Sequence, residues 1–205
     1  SLVTHLETYS GYVRSGEYSS SGAPNRLTPA YHELTGKTWG ILGCGNIGGC
    51  VAQVAGALGM KVIVSQRHPH PLYPTVDVDA LCRESDILSI HCPLNDSTRG
   101  IIDRPRLELM RRTAIVVNEA RGAVVNEADV AWAVSTGRIA AFGADVYSVE
   151  PFGEEHPYYR IKSLPNVLLT PHAAWGAVEA RERCLGVIAA NIRSFLAGAV
   201  QNRVD

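Results

Sequence analysis

The chain has 205 residues, is 46% hydrophobic and carries a net charge of −1 with a sequence pI near 6.6. That balance suits one soluble globular domain with a sizeable core, and it supplies no basic excess or Lys/Arg-rich run to hold nucleic acid. No apolar stretch approaches a membrane span, so neither nucleic acid nor a membrane is expected as a partner.

The chain starts at Ser1, and Val3, Leu6, Tyr9, Tyr12 and Val13 already recur at i, i+3, i+4 spacing. This predicts an opening helix that belongs to something larger. The turn-rich run Ser15–Pro24 reads as loop. From Lys37 onward, short apolar runs at 38–42, 61–65, 87–90, 114–117, 139–146 and 167–170 read as strands. Between them, helical patterns fall after residue 46 and at 78–83, 104–110 and 127–136, and a long helix follows at 177–196. Asn126 caps the fourth of these and Gly137 stops it. Such alternation predicts a Rossmann-like doubly wound parallel sheet, a three-layer α/β/α fold with ligands at the carboxyl ends of its strands. The five cysteines (Cys44, Cys50, Cys82, Cys92, Cys184) are odd in number and form no C-x-x-C pair. They read as reduced core thiols of a cytosolic protein without a signal peptide, rather than as disulfides or a zinc site.

The first strand runs into Gly43-Cys-Gly-Asn-Ile-Gly48, which fits the dinucleotide-binding pattern G-x-G-x-x-G. Gly43 permits the tight turn, Gly45 lets the backbone approach a pyrophosphate, and Gly48 lets the helix pack closely on the strand. Asn46 and Ile47 open that helix, whose N-terminal amides and dipole favour phosphate. Ile47, Val51, Val54 and Leu58 supply its apolar spacing. After the second strand, the carboxylate expected to bind the ribose 2′-OH is missing, and Ser65-Gln66-Arg67-His68 stands there instead. Arg67, helped by Ser65 and His68, could hold a 2′-phosphate, which favours NADP. The alternative is that Gln66 bonds the ribose and Arg67 points to solvent, giving NAD.

Other polar residues fall just past later strands. Arg121 could grip a carboxylate with two parallel bonds, or it could pair at the surface with Glu119 or Glu127. Asp145 and Glu150 follow the fifth strand, and His172 follows the sixth. A His beside a carboxylate is an oriented acid/base, although a lone His is more often structural. His68-Pro-His70 looks metal-like, but the proline and the lack of further ligands argue against zinc. Tyr147 and Trp175 could each line a pocket, Tyr147 standing equally for surface and Trp175 for core. His91-Cys92 packs or borders the cofactor cleft.

Five motifs now stand in order: Gly43–Gly48; His91-Cys-Pro-Leu94 with Thr98; Asn118-Glu-Ala-Arg-Gly122; Gly143-Ala-Asp-Val146 with Glu150-Pro151; and Thr170-Pro-His-Ala-Ala-Trp175. By them the chain resembles the D-isomer-specific 2-hydroxyacid dehydrogenases over 34–204, with 1–33 similar to the family's interdomain helix and loop. The resemblance implies that Arg121 binds the substrate carboxylate and carbonyl oxygen and that His172 is the general acid/base, oriented and charged by Glu150. The resemblance gives Asp145 the nicotinamide carboxamide. The implied cofactor contacts are Gly43, Gly45, Asn46, Ile47, Gly48, Ser65, Gln66, Arg67, Cys92, Pro93, Thr98, Asn118, Ala120, Asp145 and His172. NADP-preferring members carry Arg near position 67, and Gln in place of Glu150 in formate dehydrogenases argues against that activity. The implied reaction is hydride transfer between NAD(P)H and a small 2-oxo acid. No metal is called for, and a cytoplasmic homodimer is the expected state. The family's separate substrate domain has no room in these 205 residues. The chain alone should therefore bind dinucleotide with little turnover. A rival reading is a non-catalytic NAD(P)-sensing module of the co-repressor type.

Overall fold

The computed structural model describes residues 1–202. They fall into two compact units, one spanning Ser1–Pro171 and the other starting at His172.

The first unit is built on six parallel strands: β1 (Thr38–Leu42), β2 (Lys61–Ser65), β3 (Ile87–Ile90), β4 (Ile115–Asn118), β5 (Ala141–Ala144) and β6 (Val167–Leu169). Their order across the sheet is β2-β1-β3-β4-β5-β6. The chain leaves β1 toward one side for β2 and returns to its other side for β3. That reversal opens a crevice beyond the carboxyl ends of β1 and β3, where ligands of such sheets bind. The register brings the strand ends flush, pairing Leu42 with Ser65 and Ile90, Ile90 with Asn118, Asn118 with Ala144, and Ala144 with Leu169. Every turn that carries a candidate site residue therefore leaves from one row.

Side-chain alternation divides the sheet between two cores. Leu42, Leu88, Ile90, Val116, Phe142 and Val167 face α4 (Val78–Glu84), α5 (Arg104–Leu109) and α6 (Glu127–Ser135), and together they form the larger core. Ile41, Val64 and Ile87 face α3 (Asn46–Ala57) on the opposite side. Asp77, Asp103 and Asn126 cap α4, α5 and α6 by accepting backbone N–H bonds from Ala80, Arg106 and Asp129. The predicted doubly wound α/β fold is thus present, with helices on both faces.

Four local expectations change. The opening helix α1 is Leu6–Arg14, because His5 takes a left-handed conformation at its N-cap. Val3 leaves the helical stripe and packs instead beside Ala55, Met60 and Ile87. Within the run expected to be loop, Gly16 at φ 82 starts a short helix α2 (Glu17–Ser20). In α3 the apolar stripe is not the buried one: Ile47, Val54 and Leu58 are exposed, whereas Gly48, Ala52 and Ala55 face the sheet. Small residues give the close approach of helix to strand at Gly48, Ala52 and Ala55, and of the expected stripe Val51 alone packs there, half-buried. All five cysteines are free. Cys50 and Cys184 are exposed, so only Cys44, Cys82 and Cys92 are core thiols. Burial pushes the Cys82 thiol up to about 12.

The second unit contains α7 (Val178–Leu196), on which Leu185, Ile188, Ile192 and Phe195 recur at helical spacing and are exposed. Among the described residues, no helix is long and apolar enough to cross a membrane.

Candidate functional site

The turn after β1 is made from backbone. Gly43 has φ 90, and a Cβ there would stand 2.7 Å from the Cys92 backbone. Only glycine allows both the conformation and the contact. Its N–H donates to Ser65 O at 2.9 Å, while the N–H of His91 donates to Leu42 O at 2.8 Å. The turn is thereby stitched to the ends of β2 and β3. A Cβ on Gly48 would overlap the carbonyl oxygen of Gly43, so glycine is required for helix and turn to meet. Gly45 differs: a Cβ there would meet nothing within 4 Å. Among the described residues no side chain caps the α3 N-terminus, and its first turn, from Asn46 and Ile47, holds no acidic residue. An open glycine backbone before uncapped amides fits the pyrophosphate of a dinucleotide.

After β2, Ser65 is buried and Gln66 is engaged at both ends of its amide: its Oε1 accepts from the Cys44 N–H at 3.2 Å, and its Nε2 donates to His68 O at 2.9 Å. Gln66 thus clasps the glycine turn to the segment after β2. Arg67 is exposed and makes no hydrogen bond or ion pair among the described residues. The Nδ1 of His70 accepts from the N–H groups of Leu72 and Tyr73, and its ring stacks on Tyr73 at 4.9 Å. It organises its own loop. After β3, Cys92 is buried, and the Thr98 hydroxyl closes the next loop by donating to Pro93 O at 2.6 Å. His91 shares the Ser89 hydroxyl with the Trp39 indole, and burial holds its imidazole below the usual range.

The turn after β4 is shaped by the fully buried Asn118. Its Oδ1 accepts from the Ala120 N–H at 3.1 Å and its Nδ2 donates to Arg121 O at 3.0 Å. Ala120 is buried beneath. Arg121 is exposed, and its guanidinium donates to Ala120 O at 2.7 Å. The surface pairing with Glu119 or Glu127 is not made, since Glu127 is buried and engaged elsewhere. A Cβ on Gly122 would overlap the backbone of Tyr147 and Ser148. The turns carrying Arg121 and Glu150 therefore abut, backbone to backbone.

After β5, Asp145 is buried, its N–H donates to Asn118 O at 3.2 Å, and its carboxylate accepts from the Thr170 hydroxyl. Glu150 accepts from the Tyr147 N–H at 2.8 Å. Tyr147 belongs to neither a pocket nor the surface. It is buried, its hydroxyl donates to Thr170 O at 2.7 Å, and its ring packs on Phe152 at 4.7 Å. Burial, then the nearby Asp145 and Glu150 charges, push the Tyr147 phenol up to about 12. Burial and then Asp145 also raise Glu119. In the second unit, His172 occupies the left-handed region at φ 52, and Trp175 is exposed rather than in the core. Sequence reading placed Gly122 in its motif and Glu127 only as a surface partner of Arg121, and it missed Ser148 and His156 as members of this neighbourhood. The only signal in the sequence was a glycine directly after Arg121 and a glutamate at the start of α6.

Comparison with known proteins agrees with this arrangement. Residues 1–174 match the model of the D-isomer specific 2-hydroxyacid dehydrogenase, NAD binding domain. The chain is 35% identical over 211 residues to a hydroxypyruvate reductase of Blautia hydrogenotrophica, which takes in 100% of this chain and 64% of the relative. It is 40% identical over 202 residues to a glyoxylate reductase of Aeropyrum pernix, covering 92% and 58% of the two chains. It superposes with TM-score 0.87 and 25% identity on D-lactate dehydrogenase from Aquifex aeolicus, solved with NAD and lactic acid, covering 96% of this chain and 63% of that one. The chain thus spans about three-fifths of the length of the curated relatives it matches. With its glycine turn, its flush strand ends and this match, the chain belongs to the D-isomer specific 2-hydroxyacid dehydrogenase family, in which it corresponds to the NAD binding domain.

Proposed function

We propose that this chain is the cofactor-binding part of an oxidoreductase that interconverts a small 2-oxo acid and its D-2-hydroxy acid. The observation that carries this reading is the meeting of the Arg121 and Glu150 turns through Gly122, on the same sheet edge as the glycine turn. Residues 1–33 act as interdomain-type helix and loop and 34–205 as the dinucleotide-binding domain. A separate substrate domain, in the part of the relatives beyond this match, completes the pocket.

When bound, the nicotinamide supplies the hydride for C2 of the 2-oxo acid. Arg121 grips the substrate carboxylate and stabilises charge growing on the carbonyl oxygen. His172 delivers the proton to that oxygen, and Glu150 orients the imidazole and favours its charged form. Asp145 holds the carboxamide. Gly43, Gly45, Asn46, Ile47 and Gly48 cradle the pyrophosphate, and Cys92, Pro93, Thr98, Asn118 and Ala120 line the nicotinamide side.

We take NADP as the preferred cofactor over NAD. Gln66 is occupied by Cys44 and His68, no carboxylate follows β2, and Arg67 is exposed beside Ser65. The hydroxypyruvate and glyoxylate reductases among the relatives favour catalysis over a co-repressor role. The working protein is taken to be a cytoplasmic homodimer, for which exposed Leu6 and Val13 on α1 offer an apolar contact. The test is reduction of glyoxylate and hydroxypyruvate by the full-length protein, with Kd measured for NADPH and NADH. Turnover with tighter NADPH supports the reading. Dinucleotide binding without turnover would return it to a sensing module, and tighter NADH would reverse the cofactor preference.

A further inference from the structure

Glu127 is a buried carboxylate that the proposed reaction does not use. It stands at the first position of α6, where the dipole favours negative charge. It does not cap the helix, because Asn126 already accepts the Asp129 N–H at 3.2 Å. Its carboxylate points out of α6 to the loop after β5, where Oε1 accepts the Ser148 N–H at 2.8 Å and Oε2 accepts the Ser148 hydroxyl. Behind it, His156 Nε2 lies 2.9 Å from Oε2, close but out of line for a hydrogen bond. The His156 Nδ1 accepts the Tyr158 N–H at 3.2 Å, which fixes the ring. Burying a carboxylate is costly unless it is hydrogen-bonded; Ser148 supplies both bonds here, and the return is a held loop.

That return lies one residue away. The Tyr147 N–H, next to Ser148, donates to Glu150 at 2.8 Å, and the Tyr147 hydroxyl donates to Thr170 O at 2.7 Å. On the other side, the Gly122 backbone presses on Tyr147 and Ser148. We propose that Glu127, backed by His156, is a positioning residue: by gripping Ser148 it fixes the Tyr147–Glu150 loop and thereby aims the Glu150 carboxylate. The proposal rests on Glu150 serving the proton transfer. A carboxylate misplaced by about 1 Å can cost up to ~100-fold in rate, so a rigid clasp matters there.

The experiment uses the full-length protein as Glu127→Gln, Ser148→Ala, Glu150→Gln and the double variant Glu127→Gln/Glu150→Gln. Exposed Ser148 makes Ser148→Ala a variant that folds if Glu127→Gln does not. Glu127→Gln and Ser148→Ala should each lower kcat on the order of 10-fold, with KM and dinucleotide Kd unchanged. The double variant should be no slower than Glu150→Gln alone. Without dinucleotide, amide exchange at Tyr147 should speed up in Glu127→Gln, reporting a loosened bond to Glu150. Losses that multiply in the double variant, unchanged exchange at Tyr147, or KM rising together with falling kcat would overturn the positioning role. If Glu150→Gln itself keeps full kcat, the reading of Glu150 falls first and takes the clasp with it.

Discussion

The turn after β1 and the turns after β4 and β5 leave the same sheet edge but are held by different means. The first is a backbone object: Gly43 and Gly48 are close-packed, Gly45 faces open space, and one side chain, Gln66, clasps it. The second pair is held by side chains: Asn118 braces its own turn, while Glu127, Tyr147, Asp145 and Thr170 bond across to neighbouring segments. The difference fits what each would touch. A pyrophosphate is met by amides and needs room, whereas an acid/base pair needs carboxylates held in fixed directions.

The comparison can be broken at several points. The largest effect is expected at His172→Gln, which should cut turnover by ~100- to 10,000-fold while dinucleotide Kd stays put. Near-normal turnover would remove the acid/base role. Next, Gly122→Ala forces a Cβ into the Tyr147–Ser148 backbone and should cost about 3 kcal/mol in denaturant unfolding. Gly45→Ala meets no atom and should cost under ~1 kcal/mol in the same measurement, yet weaken dinucleotide binding about tenfold. Equal stability losses at the two glycines would mean that the two turns are built alike. Arg67→Ser should weaken NADPH about tenfold, the ~1.4 kcal/mol of one exposed charge-assisted contact, and leave NADH unchanged by calorimetric titration.

The smallest effect is alkaline. The Tyr147 phenol stands above its ordinary value of 10, at about 12, because burial and the Asp145 and Glu150 charges disfavour the phenolate. A raised folded value gives stability that is complete below pH 10 and is lost as pH rises through about 12. The unfolding free energy should therefore fall over that window. Tyr147→Phe should flatten part of the fall, leaving the share from Tyr158, which burial raises further.

Much of this was legible in the chain. Strands at 38–42, 61–65 and 87–90, the Asn126 cap and the glycine turn follow from local chemistry: β-branched runs, a side chain that accepts helix amides, and residues without a Cβ. The α3 stripe was misread because helical periodicity marks an apolar face without saying how near the sheet lies. At close approach Ala52 and Ala55 displace Ile47 and Val54 from the interface. Tyr147 was ambiguous for a similar reason, since its hydroxyl finds Thr170 O from a residue 23 positions away.

By itself, then, the sequence determined the alternating elements and the backbone-built turn, because each depends on residue type and short spacing, and on the same ground it offered Arg121, Glu150 and His172 as the residues proposed for the reaction. The tertiary structure alone decided that Leu42, Ile90, Asn118 and Ala144 end in one row. It also decided that Gly122 lies under Ser148 and that Glu127 reaches across 21 residues to hold it. Strand register and the closeness of backbones come from the packing of the whole sheet, and no local pattern encodes them.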